Sequence, residues 1–118
     1  MSPQSIGAIA AAQSENAGVF ISPITAWEIA TLAGRNRIQL SMSPDAWFNA
    51  LLALPGVRLA PMPPAVLIAS AALPGLPPRD PADRIIAATA REFGYTVITR
   101  NGELSLYARA GHIDIVAC

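Results

Sequence analysis

The stretch from Asp80 to Thr99 reads DPADRIIAATAREFGYTVIT, and it predicts a helix followed directly by a buried strand. Asp80 is a typical N-cap residue and Pro81 a typical first residue of a helix, so we expect the helix to begin here. Gly94 is typical of the position that ends a helix. The segment from Tyr95 to Thr99 is rich in the β-branched and aromatic residues that favour strands. A helix joined so closely to a strand indicates an α/β fold.

The same alternation of helices and strands extends over the rest of the chain. Serine–proline and proline–proline pairs precede several helical segments, and glycine or proline often follows their ends. Helices are expected over residues 2–17, 23–33, 44–54, 64–73 and 102–110, and strands over residues 19–22, 57–60 and 113–117. Because the strands are short, apolar and separated by helices, we predict a single domain over residues 1–118, a three-layer α/β/α fold around a mainly parallel sheet.

The composition excludes several classes of protein. With 118 residues, 53% of them hydrophobic and 14% charged, the chain can bury one core and is too apolar to be disordered. Its 8 basic and 8 acidic residues cancel, so any binding of a polyanion requires a local cluster of charge. The lone cysteine, Cys118, excludes a disulfide framework and indicates a reducing, cytoplasmic setting. The longest apolar stretch, Ala65–Leu73, is far shorter than the roughly 20 residues that cross a bilayer, so we expect no membrane contact.

Two acidic residues stand at positions that invite a functional interpretation. Ligand sites in parallel sheets lie beyond the carboxyl ends of the strands, where the following helices begin. Glu28 lies on a largely apolar face of the helix after the first strand, where a carboxylate is costly unless it is paired or binds a metal. The pattern alone also allows a carboxylate at the rim of that helix that reaches solvent or pairs with an arginine. Asp83 begins the buried stripe of its helix, either as an acid that favours the helix dipole or as a ligand.

The residues next to these acids allow a structural role or a functional one. Asp80 is interpreted as the helix cap. The segment from Thr99 through Arg100 and Asn101 follows the clearest strand, and it is either a site loop or a simple turn. Two separated carboxylates near helix starts are ligands that a hard cation such as Mg²⁺ accepts, together with several waters.

Three segments resemble motifs of the PIN-domain family. Residues 22–30, SPITAWEIA, resemble its S-x-x-S/T-x-W-E-I helix, and residues 79–90, RDPADRIIAATA, resemble its R-D-P-x-D-R-x-I-A-A-x-A helix. Residues 97–101, VITRN, resemble the L-V-T-R-D end of a strand. Order and spacing agree over nearly the whole chain, and VapC-type toxins of bacterial toxin–antitoxin pairs are the most similar members. The resemblance implies an RNA-cleaving enzyme that depends on Mg²⁺ or Mn²⁺ and is held inactive by a cognate antitoxin.

The resemblance also implies roles for individual residues. Glu28 matches the family's second acidic residue and Asp83 its third, and both are expected to bind the metal. Asn101 stands where the fourth acid usually stands and offers a carbonyl oxygen without charge. The remaining candidates either orient ligands and waters or meet RNA phosphates: Ser22, Asp80 and Thr99 in the first role, and Arg79, Arg84 and Arg100 in the second.

The family's first acidic residue, on an opening central strand, has no counterpart in this sequence. We therefore expect that central strand to be absent and the nuclease to be weak or inactive, because fewer anionic ligands hold Mg²⁺ less firmly. One alternative is a catalytically dead PIN-like module that binds an antitoxin or forms a homodimer. Another is an unrelated α/β domain that binds a small ligand.

Overall fold

The structure, a computed structural model, describes residues 11–14, 18–99 and 101–117. Its strands are β1 (Ala11–Ser14), β2 (Gly18–Ile21), β3 (Val57–Leu59), β4 (Thr96–Thr99) and β5 (Asp114–Ala117). Its helices are α1 (Pro23–Gly34), α2 (Pro44–Leu52), α3 (Pro64–Ser70), α4 (Pro81–Phe93) and α5 (Gly102–Arg109). The alternation that the sequence predicts from residue 18 onward is therefore confirmed.

A five-stranded sheet forms the centre of the fold, with the strand order β3-β2-β1-β4-β5. β2 pairs in parallel with β3, and β4 pairs in parallel with β5. β1 lies between the two pairs and is antiparallel to both β2 and β4, so β2 and β4 point the same way. The mainly parallel α/β sheet is confirmed, and the carboxyl ends of β2 and β4 meet at one edge.

The central strand corrects one expectation from the sequence. The helix expected over residues 2–17 is wrong for Ala11–Ser14, which form β1, while the rest of that prediction lies outside the described residues. Ala11 pairs with Ile21 on one side and with Ile98 on the other, so this chain's own segment holds the central position of the sheet. Helical spacing is a weak guide in so short a segment, because two neighbouring strands offer its backbone a full set of hydrogen bonds.

The ends of the helices mostly follow the local signals in the sequence. Ser22 caps α1 by accepting a hydrogen bond from the Ile24 N–H at 3.2 Å. Gly94 ends α4 in the left-handed conformation, with φ of 71°. α3 ends at Ser70 rather than at residue 73, and the Ser70 hydroxyl donates to the Leu67 carbonyl at 2.6 Å, a local bond that competes with the helix.

The main core lies between α4 and the second half of the sheet. α4 is strongly amphipathic, and its buried residues pack against β4, α5 and the residue just before β5. The cluster consists of Ile86, Ala87, Ala90, Val97, Leu104, Tyr107 and Ile113. This packing fixes the first turn of α4 relative to the end of β4. None of the helices in the described part of the chain is both long and apolar enough to cross a membrane.

Candidate catalytic site

Buried polar residues gather at the edge of the sheet where β2 and β4 end. Ser22 directly follows β2, and Thr99 is the last residue of β4. α1 begins at this edge after β2, and α4 has its N-terminus here because it runs back along β4. Four of the five buried polar or charged residues in the described ranges belong to these segments: Ser22, Thr25, Asp83 and Thr99. The topology therefore brings together residues that are far apart in sequence.

Asn101 connects the end of β4 to the first turn of α4. Its side-chain Nδ2 donates to Oδ2 of Asp83 at 2.9 Å. Its Oδ1 accepts the Leu104 N–H at 3.0 Å, and its own N–H donates to Oγ1 of Thr99 at 3.0 Å. The segment that the sequence left open as a turn or a site loop is thus the N-cap of α5, and the same side chain binds an acid of the site.

Asp80 supports Asp83 from the start of α4. Its Oδ2 accepts the Asp83 N–H at 3.1 Å, which is the N-cap geometry expected from the sequence. The negative charge of Asp80 also lies close enough to raise the pKa of Asp83. Asp80 therefore both begins the helix and adds negative charge to the site.

Glu28 on α1 and Asp83 in the first turn of α4 interact through their charges. Burial raises the pKa of Glu28 from 4.5 to about 7, and the negative charges of Asp83 and Asp80 contribute in that order. Burial likewise raises the pKa of Asp83 from 3.8 to about 6; Asp80 adds to the rise and the hydrogen bond from Asn101 opposes it. The sequence alternative of an exposed rim carboxylate does not describe Glu28, because it is partly buried beside other acids. Two carboxylates that repel each other in a partly buried site favour a cation between them.

The remaining candidates from the sequence have defined partners or positions. Ser22 and Thr99 each accept a backbone N–H, from Ile24 and Asn101 respectively. Arg84 donates from Nε to the Pro78 carbonyl at 2.8 Å. Arg79 is exposed, and its backbone N–H donates to Oε2 of Glu103 at 3.2 Å. Arg100 lies outside the described residues.

Two residues near the site had no role in the sequence interpretation. Glu103 stands in the first turn of α5, and its charge contributes to the raised pKa of Asp83. Its signal was an acidic residue two positions after Asn101. Thr25 is 1% exposed, and within the described ranges its hydroxyl has no hydrogen-bond partner. Its signal was its position one helical turn before Glu28 on the same face.

The donor set fits a hard divalent cation that keeps much of its water. Across the described ranges, no group of three or more His, Cys, Asp or Glu side chains is placed to hold a metal ion. Glu28 and Asp83 are two carboxylates that would offer oxygen atoms to a cation, and buried hydroxyl groups lie on the neighbouring segments. Mg²⁺ is commonly held by one or two carboxylates and several waters, so two carboxylates meet its requirement at a minimum.

Comparison with known proteins is consistent with this geometry. The profile of the PIN domain matches residues 3–110 of the chain. Ribonuclease VapC22 of Mycobacterium tuberculosis (strain ATCC 25618 / H37Rv) is 36% identical over 103 residues, which are 86% of this chain and 78% of the relative. No solved structure shows a significant match.

Proposed function

This chain belongs to the PIN-domain family, among the VapC-type ribonucleases of toxin–antitoxin pairs, and on that premise we propose that it is an endoribonuclease that depends on Mg²⁺ or Mn²⁺. The observation that carries the proposal is the repulsion between Glu28 on α1 and the buried Asp83 on α4, which raises the pKa of Glu28. A half-buried acid and a buried acid whose charges repel each other destabilise the fold, and a bound cation offsets that repulsion.

Each residue of the site has a proposed part in the reaction. When bound, the cation supplies positive charge that activates a water for attack on the phosphodiester and stabilises the charge that develops there. Glu28 and Asp83 hold it in their deprotonated forms. Asn101 occupies one oxygen of Asp83 through Nδ2 and so fixes the orientation of that carboxylate. Ser22 and Thr99, already anchored to backbone N–H groups, orient waters at the same edge.

RNA binding requires positive charge near the acids. Arg79 and Arg84 lie on and beside the start of α4, and Arg100 follows β4 in sequence, so these three are the residues we assign to RNA phosphates. Arg84 is partly engaged by the Pro78 carbonyl, which restricts where its guanidinium can reach. Because few arginines lie near the acids, we propose that the bound cation and these arginines position the RNA together.

The proposed partners follow from the family. VapC toxins act on RNA and pair with VapB antitoxins, and we propose a cognate antitoxin for this chain, a homodimer, and a cytoplasmic location where RNA is available. We also propose that residues 1–118 form a single domain.

A second candidate, a module with little or no catalysis that still binds its antitoxin, is favoured by one specific observation. Asn101, at the family's fourth acidic position, is neutral and its amide points to Asp83, so it adds no anionic ligand. With two carboxylates rather than more, the metal is held less firmly and the attacking water is less well positioned. We therefore propose weak cleavage.

An RNA cleavage assay with the purified chain tests both candidates. Glu28→Gln keeps the shape of the side chain and removes a proposed metal ligand, while Glu92→Gln removes an exposed carboxylate from α4 and serves as the matched control. We expect slow cleavage with Mg²⁺ or Mn²⁺ that chelation and Glu28→Gln abolish and Glu92→Gln leaves unchanged. Binding of Mn²⁺ without any cleavage would favour the inactive module, and cleavage that persists in Glu28→Gln would contradict the assigned site.

A further inference from the structure

The hydroxyl of Thr25 is buried without a partner. The residue stands in the first turn of α1, and its side chain is 1% exposed. Among the described residues, Oγ1 of Thr25 is the buried side-chain oxygen or nitrogen that makes no hydrogen bond. A buried hydroxyl without a partner costs free energy, so such groups commonly point to a bound molecule.

Thr25 lies so near the start of α1 that the residue four positions before it is still in β2. A threonine in a helix ordinarily donates to the carbonyl three or four residues before it. For Thr25 these carbonyls belong to Ser22 and Ile21. The Ile21 carbonyl accepts the Ala60 N–H at 2.8 Å and the Ser22 carbonyl accepts the Thr25 N–H at 2.9 Å, and neither accepts the Thr25 hydroxyl.

Thr89 shows the ordinary arrangement in the same protein. It is also buried, at 3% exposure, but its hydroxyl donates to the Ile85 carbonyl four residues earlier at 2.7 Å. Because α4 already has a full turn of helix before Thr89, a carbonyl is within reach there. The two threonines therefore form a matched pair, one satisfied by its helix and one not.

The unpaired hydroxyl lies beside the proposed metal ligands. Thr25 precedes Glu28 by three residues, a spacing that places the two side chains on one helix face with Cβ atoms about 5–6 Å apart. Glu28 is coupled by charge to Asp83 on α4. A divalent cation such as Mg²⁺ keeps several waters, and each of those waters needs a hydrogen-bond partner in the protein.

We propose that Thr25 is a positioning residue of the cation site, and that its hydroxyl hydrogen-bonds to a water bound to the cation next to Glu28. The inference rests on the proposed function. It accounts for a hydroxyl that nothing in the surrounding helix satisfies, and it adds to the site a residue that binds the hydration shell rather than the metal ion itself. Ser22 and Thr99 at the same edge differ from Thr25 because each already holds a backbone N–H.

The test compares Thr25→Val, which removes the hydroxyl, with Thr25→Ser, which keeps it, and with Thr89→Val as the matched control. Thermal unfolding without metal and calorimetric titration with Mn²⁺ are measured for each protein. We expect Thr25→Val to melt no lower than the parent without metal, to bind Mn²⁺ about tenfold more weakly, and Thr25→Ser to restore the affinity. Thr89→Val should melt lower and bind Mn²⁺ as the parent does.

The outcomes separate this inference from the function on which it rests. Parental Mn²⁺ affinity in Thr25→Val would overturn the role of Thr25 and leave the cation site in place. A lowered melting temperature of metal-free Thr25→Val, similar to that of Thr89→Val, would show that the hydroxyl has a partner within the protein and would also overturn it. Failure of the parent protein to bind Mn²⁺ would overturn the cation site and the role of Thr25 together.

Discussion

Nδ2 of Asn101 donates a hydrogen bond to Oδ2 of Asp83 at 2.9 Å, and this bond joins the start of α5 to the start of α4. It counteracts part of the rise in the pKa of Asp83 that burial and the charge of Asp80 cause. Since the same side chain caps α5, the arrangement of the acid depends on the integrity of a helix end. The donor is a neutral amide and the acceptor a carboxylate, so the bond stabilises the charged form of Asp83 without adding negative charge to the site.

Asn101→Asp should therefore lower the stability of the metal-free protein and raise its affinity for a divalent cation. Asp caps a helix about as well as Asn, so α5 should persist, but a further carboxylate would replace the amide that donates to Asp83 and would repel it. We expect a lower melting temperature without metal at pH 7.5 and a larger increase on addition of Mn²⁺ than the parent shows. Thermal melts with and without Mn²⁺ measure both effects. An unchanged response to Mn²⁺ would mean that position 101 lies too far from the cation to matter.

The stability of the metal-free protein should fall as pH rises from about 4 to about 7. In the folded state the pKa of Glu28 is raised from 4.5 to about 7 and that of Asp83 from 3.8 to about 6, so the folded protein binds more protons than the unfolded chain in this range. The destabilising contribution of these two acids is absent below about pH 4 and complete above about pH 7. Urea unfolding at several pH values measures the slope, and Glu28→Gln should reduce it.

Metal binding should oppose the fall in stability with rising pH, because a cation binds the deprotonated acids. The gain in stability from Mn²⁺ should be larger at pH 7.5 than at pH 5.5. Equal gains at both pH values would argue that the cation binds somewhere other than at Glu28 and Asp83.

Asp80→Ala and Asp83→Ala should have different consequences although the residues lie three positions apart. Asp80→Ala removes the cap of α4 and should lower stability by about 1 kcal/mol while Mn²⁺ still binds. Asp83→Ala should abolish the binding of Mn²⁺. Thermal melts during a Mn²⁺ titration distinguish the two variants. Loss of binding in Asp80→Ala with retention in Asp83→Ala would reverse the two assignments.

Ala12→Pro tests the central strand. Ala12 pairs with Phe20 on one side and with Val97 on the other, and a proline there removes a backbone donor from the middle of the sheet. We expect a loss of about 3 kcal/mol or more in the free energy of unfolding, measured by urea denaturation. Ala12→Val, which suits a strand, should be tolerated far better. A proline variant as stable as the parent would contradict the position of β1.

Local chemistry in the sequence determined most of the fold and the acids of the site. The caps at Ser22 and Asp80, the left-handed turn at Gly94 and the β-branched run of β4 each depend on neighbours within a few residues. For that reason they could be predicted without knowledge of the rest of the chain. The same holds for Glu28 and Asp83 as candidates, since a carboxylate on an apolar helix face is visible in the spacing alone.

Only the tertiary structure decided which residues far apart in sequence form hydrogen bonds with one another. Ala11–Ser14 form a strand because β2 and β4 leave a central position between them, a fact that helical spacing in the segment does not contain. Asn101 directs its amide to Asp83 because α4 and the end of β4 meet at one edge. The Ile21 carbonyl, four residues before Thr25, belongs to β2 and accepts the N–H of Ala60, far along the chain, and the Thr25 hydroxyl has no partner within the described ranges. Each of these depends on contacts between remote residues, and such contacts arise only when the sheet is assembled.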